Sequence, residues 1–380
     1  MVSLEDVCVP GGLVRGPFGG SLKKNDFVAS GYQVYEQRHA IAGTWSGARY
    51  FVDAGKCGAM KRFAVVPGDF IVSCSGTIGR IYQVPERAPR GIINQALLKI
   101  SVNSHVINPK FFYFYFQWET FQSLILDSTQ GGAMQNLVGM AIFRKSPINL
   151  PPMGEQQAIA RALRIADESI TVLERIVAKK QAINQGMMQQ LLTGKTRLPG
   201  FSGPWVEGRL GDVLNVRHGR SQGEVECRIG KYPILATGGQ IGWADAPLYS
   251  KPSVLIGRKG TIDRPQYQAT PFWTVDTLFY TEISEAADPR YLYYLFLTID
   301  WRSMNEASGV PSLSSRRVEG VDIRIPHVGE QRAIREVLDD VNLEIESLER
   351  RLAKAEAVKQ GMTQQLLTGR TRLPITAGAE

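Results

Sequence analysis

The chain has 380 residues, of which 43% are hydrophobic and 21% charged. That is apolar material for more than one buried core, and it excludes a disordered, charge-rich chain. With 44 basic and 36 acidic side chains the net charge is +8, which points toward a polyanionic partner.

Other classes drop out early. No apolar run approaches the roughly 18 residues of a membrane helix, and MVSLEDVCVPGG lacks the basic-then-apolar pattern of a secretory signal. Cys8, Cys57, Cys74 and Cys227 are scattered, with no CxxC and no histidine at ligand spacing. They read as reduced thiols in a cytoplasmic protein, with no metal site expected.

Residues 1–150 carry 15 basic and 9 acidic groups. Short apolar runs broken by Gly and Pro, such as FAVVPGDFIVSCSGTIGRIYQV (63–84), predict a mixed α/β domain. From Phe111 to Trp118, seven of eight residues are aromatic. Such a stretch could stack bases, but its exposure would be costly, so it is read as core.

Residues 151–199 change character. Ile159, Leu163, Ala166, Ile170, Leu173 and Val177 follow a 4-3-4-3-4 spacing, and Met187 and Leu191 rejoin the frame. This is the seam of a coiled-coil helix, about 40 residues or roughly 60 Å long. Pro151 precedes it, Gly194 fits a C-cap and Pro199 lies just beyond. Gly194-Lys195-Thr196 resembles the tail of a phosphate loop, but position 189 is Gln where that loop needs Gly, and a helix precedes it instead of a strand. The cap reading prevails.

Residues 200–325 balance at 14 basic and 14 acidic groups, so any polyanion must be met there by a local patch. They echo the first domain in order: LEDV (4–7) and LGDV (210–213), GTIG (76–79) and GTID (260–263), NPKFFYFYF (108–116) and DPRYLYYLF (288–296), INLP (148–151) and IRIP (323–326). The offset drifts, so the loops differ while the order of elements is kept.

Residues 326–374 then repeat 151–199 without a gap, with 27 identities in 49 positions. The phrase QQLLTGKTRLP returns as QQLLTGRTRLP, with Arg370 in place of Lys195. The second seam is Ile334, Leu338, Val341, Ile345, Leu348, Leu352, Ala355, Met362 and Leu366, and Gly369 and Pro374 repeat the stop. Lys180, Asn184 and Lys359 interrupt the seams, where polar groups fix register. Gly186 and Gly361 recur inside both helices and suggest either close helix approach or a kink. Residues 375–380 form a tail.

The fold class is therefore α+β (mixed α/β): two variable domains, 1–150 and 200–325, alternating with two long helices. A drifting pair of domains on a near-identical pair of helices suggests different targets served by one frame. No Walker-type loop or HExxH occurs, nor the glycine-rich cofactor loop and Asn/Asp-Pro-Pro-aromatic stretch of a methyltransferase. His39, His105, His218 and His327 stand in unrelated contexts. The chain reads as a binding protein.

The two segments carrying GEQ and QQLLTG(K/R)TRLP, with RGPFGGSLKKNDF in the first domain and GRKGTID…PFWTVDTLFY in the second, resemble the specificity subunit of type I restriction–modification systems. The resemblance covers the whole chain. It implies two target-recognition domains held by antiparallel helices related by a pseudo-twofold, each domain reading one half of a bipartite double-stranded DNA site. It implies a non-catalytic subunit docking two methyltransferase subunits, with restriction subunits in the full complex. S-adenosylmethionine, ATP and Mg2+ are then expected on those partners and no cofactor on this chain. It also implies that the tail after Pro374 lies near Met1.

Loop position and residue type nominate DNA contacts: Arg15, Ser21, Lys23, Lys24, Gln37, Arg38, Thr77 and Gln135 in the first domain, and Arg217, Arg220, Gln222, Arg258, Lys259, Ser314 and Arg316 in the second. Arg and Gln read base edges, while Lys and Ser more often hold phosphate. Each is equally readable as a solvated surface group. Two other readings stay open: a helical scaffold that binds no DNA, and a stand-alone nuclease.

Overall fold

The computed structural model describes residues 1–18, 20–127 and 136–374. The chain divides into two compact units, Met1–Val172 with Leu352–Glu380, and Leu173–Arg351.

In the first unit an antiparallel sheet runs Cys8–Arg15, Leu97–Val102, Phe70–Ser73, Ile81–Gln83. Its central strands are buried on both faces, and the period of two sorts their side chains. Phe70, Val72, Leu98 and Ile100 join the core of the aromatic helix Pro109–Gln117, while Ile71 and Leu97 join Tyr35 and Ile93 on the other side. A second sheet runs Phe51–Val52, Tyr32–Tyr35, Gly91–Ile93, Ala64–Val65, with the middle pair parallel. Val2–Ser3 pairs with Pro147–Ile148.

The second unit repeats this plan. Leu214–Arg217, Leu278–Ile283, Ser253–Gly257 and Gln266–Gln268 form the antiparallel sheet. Val254, Ile256 and Phe279 face the helix Pro289–Thr298, and Leu255, Leu278 and Tyr280 face the other way. The second sheet again contains one parallel pair, Tyr232–Ala236 with Trp273–Thr274. Val206–Arg209 pairs with Asp322–Ile325.

The aromatic run is core, as composition required: Phe111, Phe112, Phe114, Tyr115 and Phe116 are all buried. Asn108 caps that helix by accepting from the Lys110 and Phe111 amides at 3.0 Å, and Asp288 caps its counterpart in the same way.

The long helices are Met153–Leu191 and Val328–Leu367. Each unit holds the start of one and the end of the other, running in opposite directions. In the first unit Asp167 meets Lys359 at 2.5 Å. In the second, Lys180 meets Glu344 at 2.7 Å and Asn184 donates to Asn342 at 2.9 Å. Ile159, Leu163, Val177, Leu191, Ile334, Leu338, Ile345 and Leu366 are buried; Ile170, Leu173, Met187, Val341, Leu348, Leu352 and Met362 are half-buried.

The close-approach reading of Gly186 and Gly361 is not what the structure shows. A Cβ built at either would meet nothing within 4 Å. Gly194 and Gly369, by contrast, hold φ of +69° and +73° at the helix ends, the left-handed cap that glycine adopts without strain. Val2 and Leu373 pack against the same core cluster, while the tail beyond Pro374 lies outside the described residues.

Candidate nucleic-acid interface

Each unit builds its polar loops around one tight turn at the end of the antiparallel sheet. In the second unit this is Val275–Leu278, closed by the Leu278 amide on the Val275 carbonyl at 3.0 Å. The Arg220 amide donates to Thr274 O at 2.8 Å, and the Arg258 and Lys259 amides to Thr277 O at 2.8 and 3.2 Å. The Arg258 guanidinium reaches the Asp276 carbonyl at 3.3 Å. Beyond it, Leu313 donates to Arg258 O, and Ser314 caps the short helix Ser315–Glu319 through the Arg317 amide. Arg220, Arg258, Lys259 and Ser314 are thus held around a single turn.

In the first unit the turn is Asn94–Leu97, with the same framework. The Asn94 amide donates to Tyr35 O at 2.9 Å, as Val275 does to Leu235 O at 3.1 Å; Cys74 donates to Ala96 O at 2.9 Å, as Arg258 does to Thr277 O. Gly16 and Gly219 both press against the turn. A Cβ at either would lie about 2 Å from the Asn94 or Val275 carbonyl oxygen, so glycine is required there.

Beside the first turn lies a cleft of about 130 Å³ bordered by Ser21, Glu36, Tyr50, Asn94 and Gln95. Glu36 is buried, yet Arg49 holds both its oxygens, at 2.7 and 3.1 Å, and Arg38 adds a contact at 3.3 Å. Burial alone would raise its pKa; the Arg49 hydrogen bond and the two guanidinium charges outweigh that and keep it below the usual range. His39 is fully buried, and its Nδ1 accepts from the Glu36 amide at 2.9 Å. Burial, with the Arg38 charge, lowers its pKa and keeps it neutral.

The remaining nominated residues fall elsewhere. Arg15 precedes Gly16 and is half-buried, and exposed Thr77 belongs to the loop that Cys74 opens. Arg38 is engaged with Glu36, and Gln37 is the half-buried first residue of the helix Gln37–Ala42. Lys23 and Lys24 are exposed but do not border the cleft. Arg217 is tied along the sheet to Glu282 at 2.9 Å. The Gln222 carbonyl closes a turn by accepting from the Val225 and Glu226 amides. Arg316 is exposed on its short helix. Gln135 lies outside the described residues. The sequence reading did not nominate Glu36, Asn94, Gln95 or Asp276; the available signal was the alignment of NQALLK (94–99) with VDTLFY (275–280).

The repeated motifs tie these domains to the helices. Gln156, in GEQQ, accepts from the Asn108 amide at 2.7 Å and donates to Val106 O and Pro151 O. Gln331, in GEQR, accepts from Asp288 N at 2.9 Å and donates to Ala286 O and Pro326 O. Each therefore locks an aromatic-helix cap onto the start of a long helix. The acidic neighbours cross between repeats: Arg372, in the second TRLP, binds Glu155, while Arg197, in the first, binds Glu330. The phrase recurs because each copy completes the other's beginning.

Two copies of one fold, alike in frame and unlike in loops, make a modular recognition protein. Residues 52–185 and 203–357 match the type I restriction modification DNA specificity domain, and the chain belongs to that family. It is 21% identical over 328 residues, 75% of each chain, to the type I restriction enzyme MjaVIII specificity subunit of Methanocaldococcus jannaschii. Its fold is similar to a type I restriction–modification S subunit from M. genitalium (TM-score 0.61, 15% identity, 96% of this chain and 95% of that one). It is likewise similar to the HsdS subunit of Thermoanaerobacter tengcongensis (TM-score 0.53, 18% identity, 97% and 96%). No described helix is long and apolar enough to cross a membrane.

Proposed function

We propose that the chain is the cytoplasmic, non-catalytic subunit that reads a bipartite double-stranded DNA site, with recognition domains 1–150 and 200–325 each taking one half. Its helices dock two methyltransferase subunits, which bring S-adenosylmethionine. Restriction subunits bring ATP and Mg2+ chemistry to the full complex.

The observation that carries this reading is the pair of equivalent turns. One backbone framework presents Asn94-Gln95-Ala96 in one unit and Val275-Asp276-Thr277 in the other. A conserved scaffold with unlike polar side chains suits two unlike half-sites. Docking is supported by Ile165, Val172, Ile176 and Ile183, which the first long helix leaves exposed at 7-4-7 spacing, within one narrow face of a helix. Exposed apolar stripes of this kind mark interaction surfaces.

Single-molecule methylation mapping in cells carrying the chain with its cognate methyltransferase tests the reading. The expected result is a two-part motif with a modified adenine in each half and a fixed gap, absent without this chain. Exchanging residues 1–150 for another recognition domain changes one half and leaves the other. An altered second half would refute the modular account. Binding that does not weaken with salt would point instead to a scaffold without phosphate contacts.

A further inference from the structure

We propose that Gln95 and Asp276 are equivalent base-reading side chains, Gln95 selecting an adenine in one half-site and Asp276 a cytosine in the other. This rests on the DNA-recognition reading above and assigns the chemistry of its two turns.

Four observations converge on these positions. Their main chains are equivalent: the residue before each receives the same glycine contact (Gly16, Gly219), and the residue after each accepts an amide from the same loop (Cys74, Arg258). Both side chains are exposed, and neither takes part in a hydrogen bond or ion pair among the described residues. Both turns are tied by side-chain hydrogen bonds. The Asn94 side chain accepts from Ala96 N at 3.0 Å, and the Arg258 guanidinium grips the Asp276 carbonyl. Finally, each stands among groups suited to nucleic acid: Ser21 in the first unit, and Arg220, Arg258 and Lys259 in the second.

The charge of Asp276 is the informative feature. A free carboxylate on a face built to meet phosphate repels its ligand unless it finds a hydrogen-bond donor. On the major-groove edge such donors are the exocyclic amines of cytosine and adenine. Adenine places the acceptor N7 beside its amine, which opposes a carboxylate, whereas cytosine places only C–H there. Asp276 therefore selects cytosine. Gln95 offers donor and acceptor side by side, the complement of adenine N7 and N6. Asymmetry at one pair of equivalent positions then makes the two half-sites differ.

The test is methylation mapping of the full chain with its methyltransferase, in wild type and in two single variants. Gln95→Asp is expected to replace one adenine by cytosine in one half-site, and Asp276→Gln one cytosine by adenine in the other, with gap and remaining bases kept. Unchanged motifs in both variants would overturn the assignment while the wild-type motif upholds the two-half reading. No motif in wild type would overturn both.

If a variant methylates nothing, binding decides. The purified wild-type complex is expected to prefer the matched duplex over one altered at the candidate base pair by about 10- to 100-fold. Asp276→Ala is expected to reduce that preference to about twofold while the dependence on salt stays the same. Preference retained in Asp276→Ala would sink the proposal.

Discussion

The two helical repeats and the two recognition domains have diverged under different constraints, and the contrast locates them. In the helices, positions that tie elements together are the same in both copies: Gln156 and Gln331, Glu155 and Glu330, Arg197 and Arg372. One polar pair between the helices has changed, while seam residues such as Ile170 and Ile345 or Leu173 and Leu348 are identical. The Asp167–Lys359 ion pair of the first unit is answered in the second by Asn342 and Asn184. In the recognition domains the backbone is kept and the tips vary. Identity is retained where a buried polar group depends on it.

The comparison breaks most visibly at the crossed ion pairs. Glu330 is buried, and Arg197 grips both its oxygens, at 2.5 and 2.7 Å, while also bonding Gly203 O. Arg197→Ala strands that carboxylate and is expected to destabilise the second unit by about 3 kcal/mol. Arg372→Ala also strands a buried carboxylate, Glu155, but removes a single contact at 2.9 Å from a 62% exposed guanidinium, so it is expected to cost about 2 kcal/mol in the first. Hydrogen exchange resolved by unit checks both. Adding Glu330→Gln to Arg197→Ala should recover most of the loss, because the stranded charge is gone. Equal losses in both units would contradict the argument.

Gln331→Leu removes three hydrogen bonds and leaves the Asp288 amide at a helix cap without its partner, at an expected cost of about 2 kcal/mol. Gln156→Leu should match it in the first unit within experimental error, since the partners are equivalent. Urea unfolding of each variant reads this. A cost confined to one copy would show that the equivalence is geometric only.

These ties explain how far the sequence could be read. The repeat, the helix stops at Gly194 and Gly369 and the burial of the aromatic stretch Phe111–Trp118 followed from spacing and composition, because local rules govern them. That GEQ of one copy serves TRLP of the other is a contact across more than 130 residues, which no local pattern encodes. Nomination by loop position and residue type included Arg220, Arg258, Lys259 and Ser314, which the structure gathers around one turn. It also nominated Arg217 and Arg38, whose charges are taken by Glu282 and Glu36. It passed over Asp276, since nothing in the local sequence shows that this acidic residue shares a turn with Arg220, Arg258 and Lys259.

A pH difference separates the units further. His39 is buried and held neutral with its pKa below the ordinary 6.5, whereas His218 and His327 of the second unit are exposed. Below pH 6.5 the unfolded chain takes up a proton that folded His39 refuses. Stability of the first unit is therefore flat above that pH and falls on acidification toward the folded pKa. Glu36, depressed by Arg49, adds a loss only at lower pH, below the usual carboxylate range. Hydrogen exchange at pH 7 and 5.5 should show residues 32–42 losing protection relative to 232–244. His39→Asn, which can still accept from the Glu36 amide, should remove that difference.

The smallest effect lies at the diverged helix positions. Lys359 and Asp167 are each about one-third exposed, so solvent screens their attraction and the pair contributes about 0.5 kcal/mol. Asn184 and Asn342 carry no charge, and Asn342 extends the contact by donating to Tyr294, which donates to Asp339. The equivalent positions in the first unit are Phe114 and Arg164, so the longer network has no counterpart there. Converting Asp167 and Lys359 together to Asn should then leave stability nearly unchanged at low salt and abolish its decline as salt rises. A large loss at every salt concentration would mean that this ion pair fixes the helix register, and that the Asn pair alone cannot.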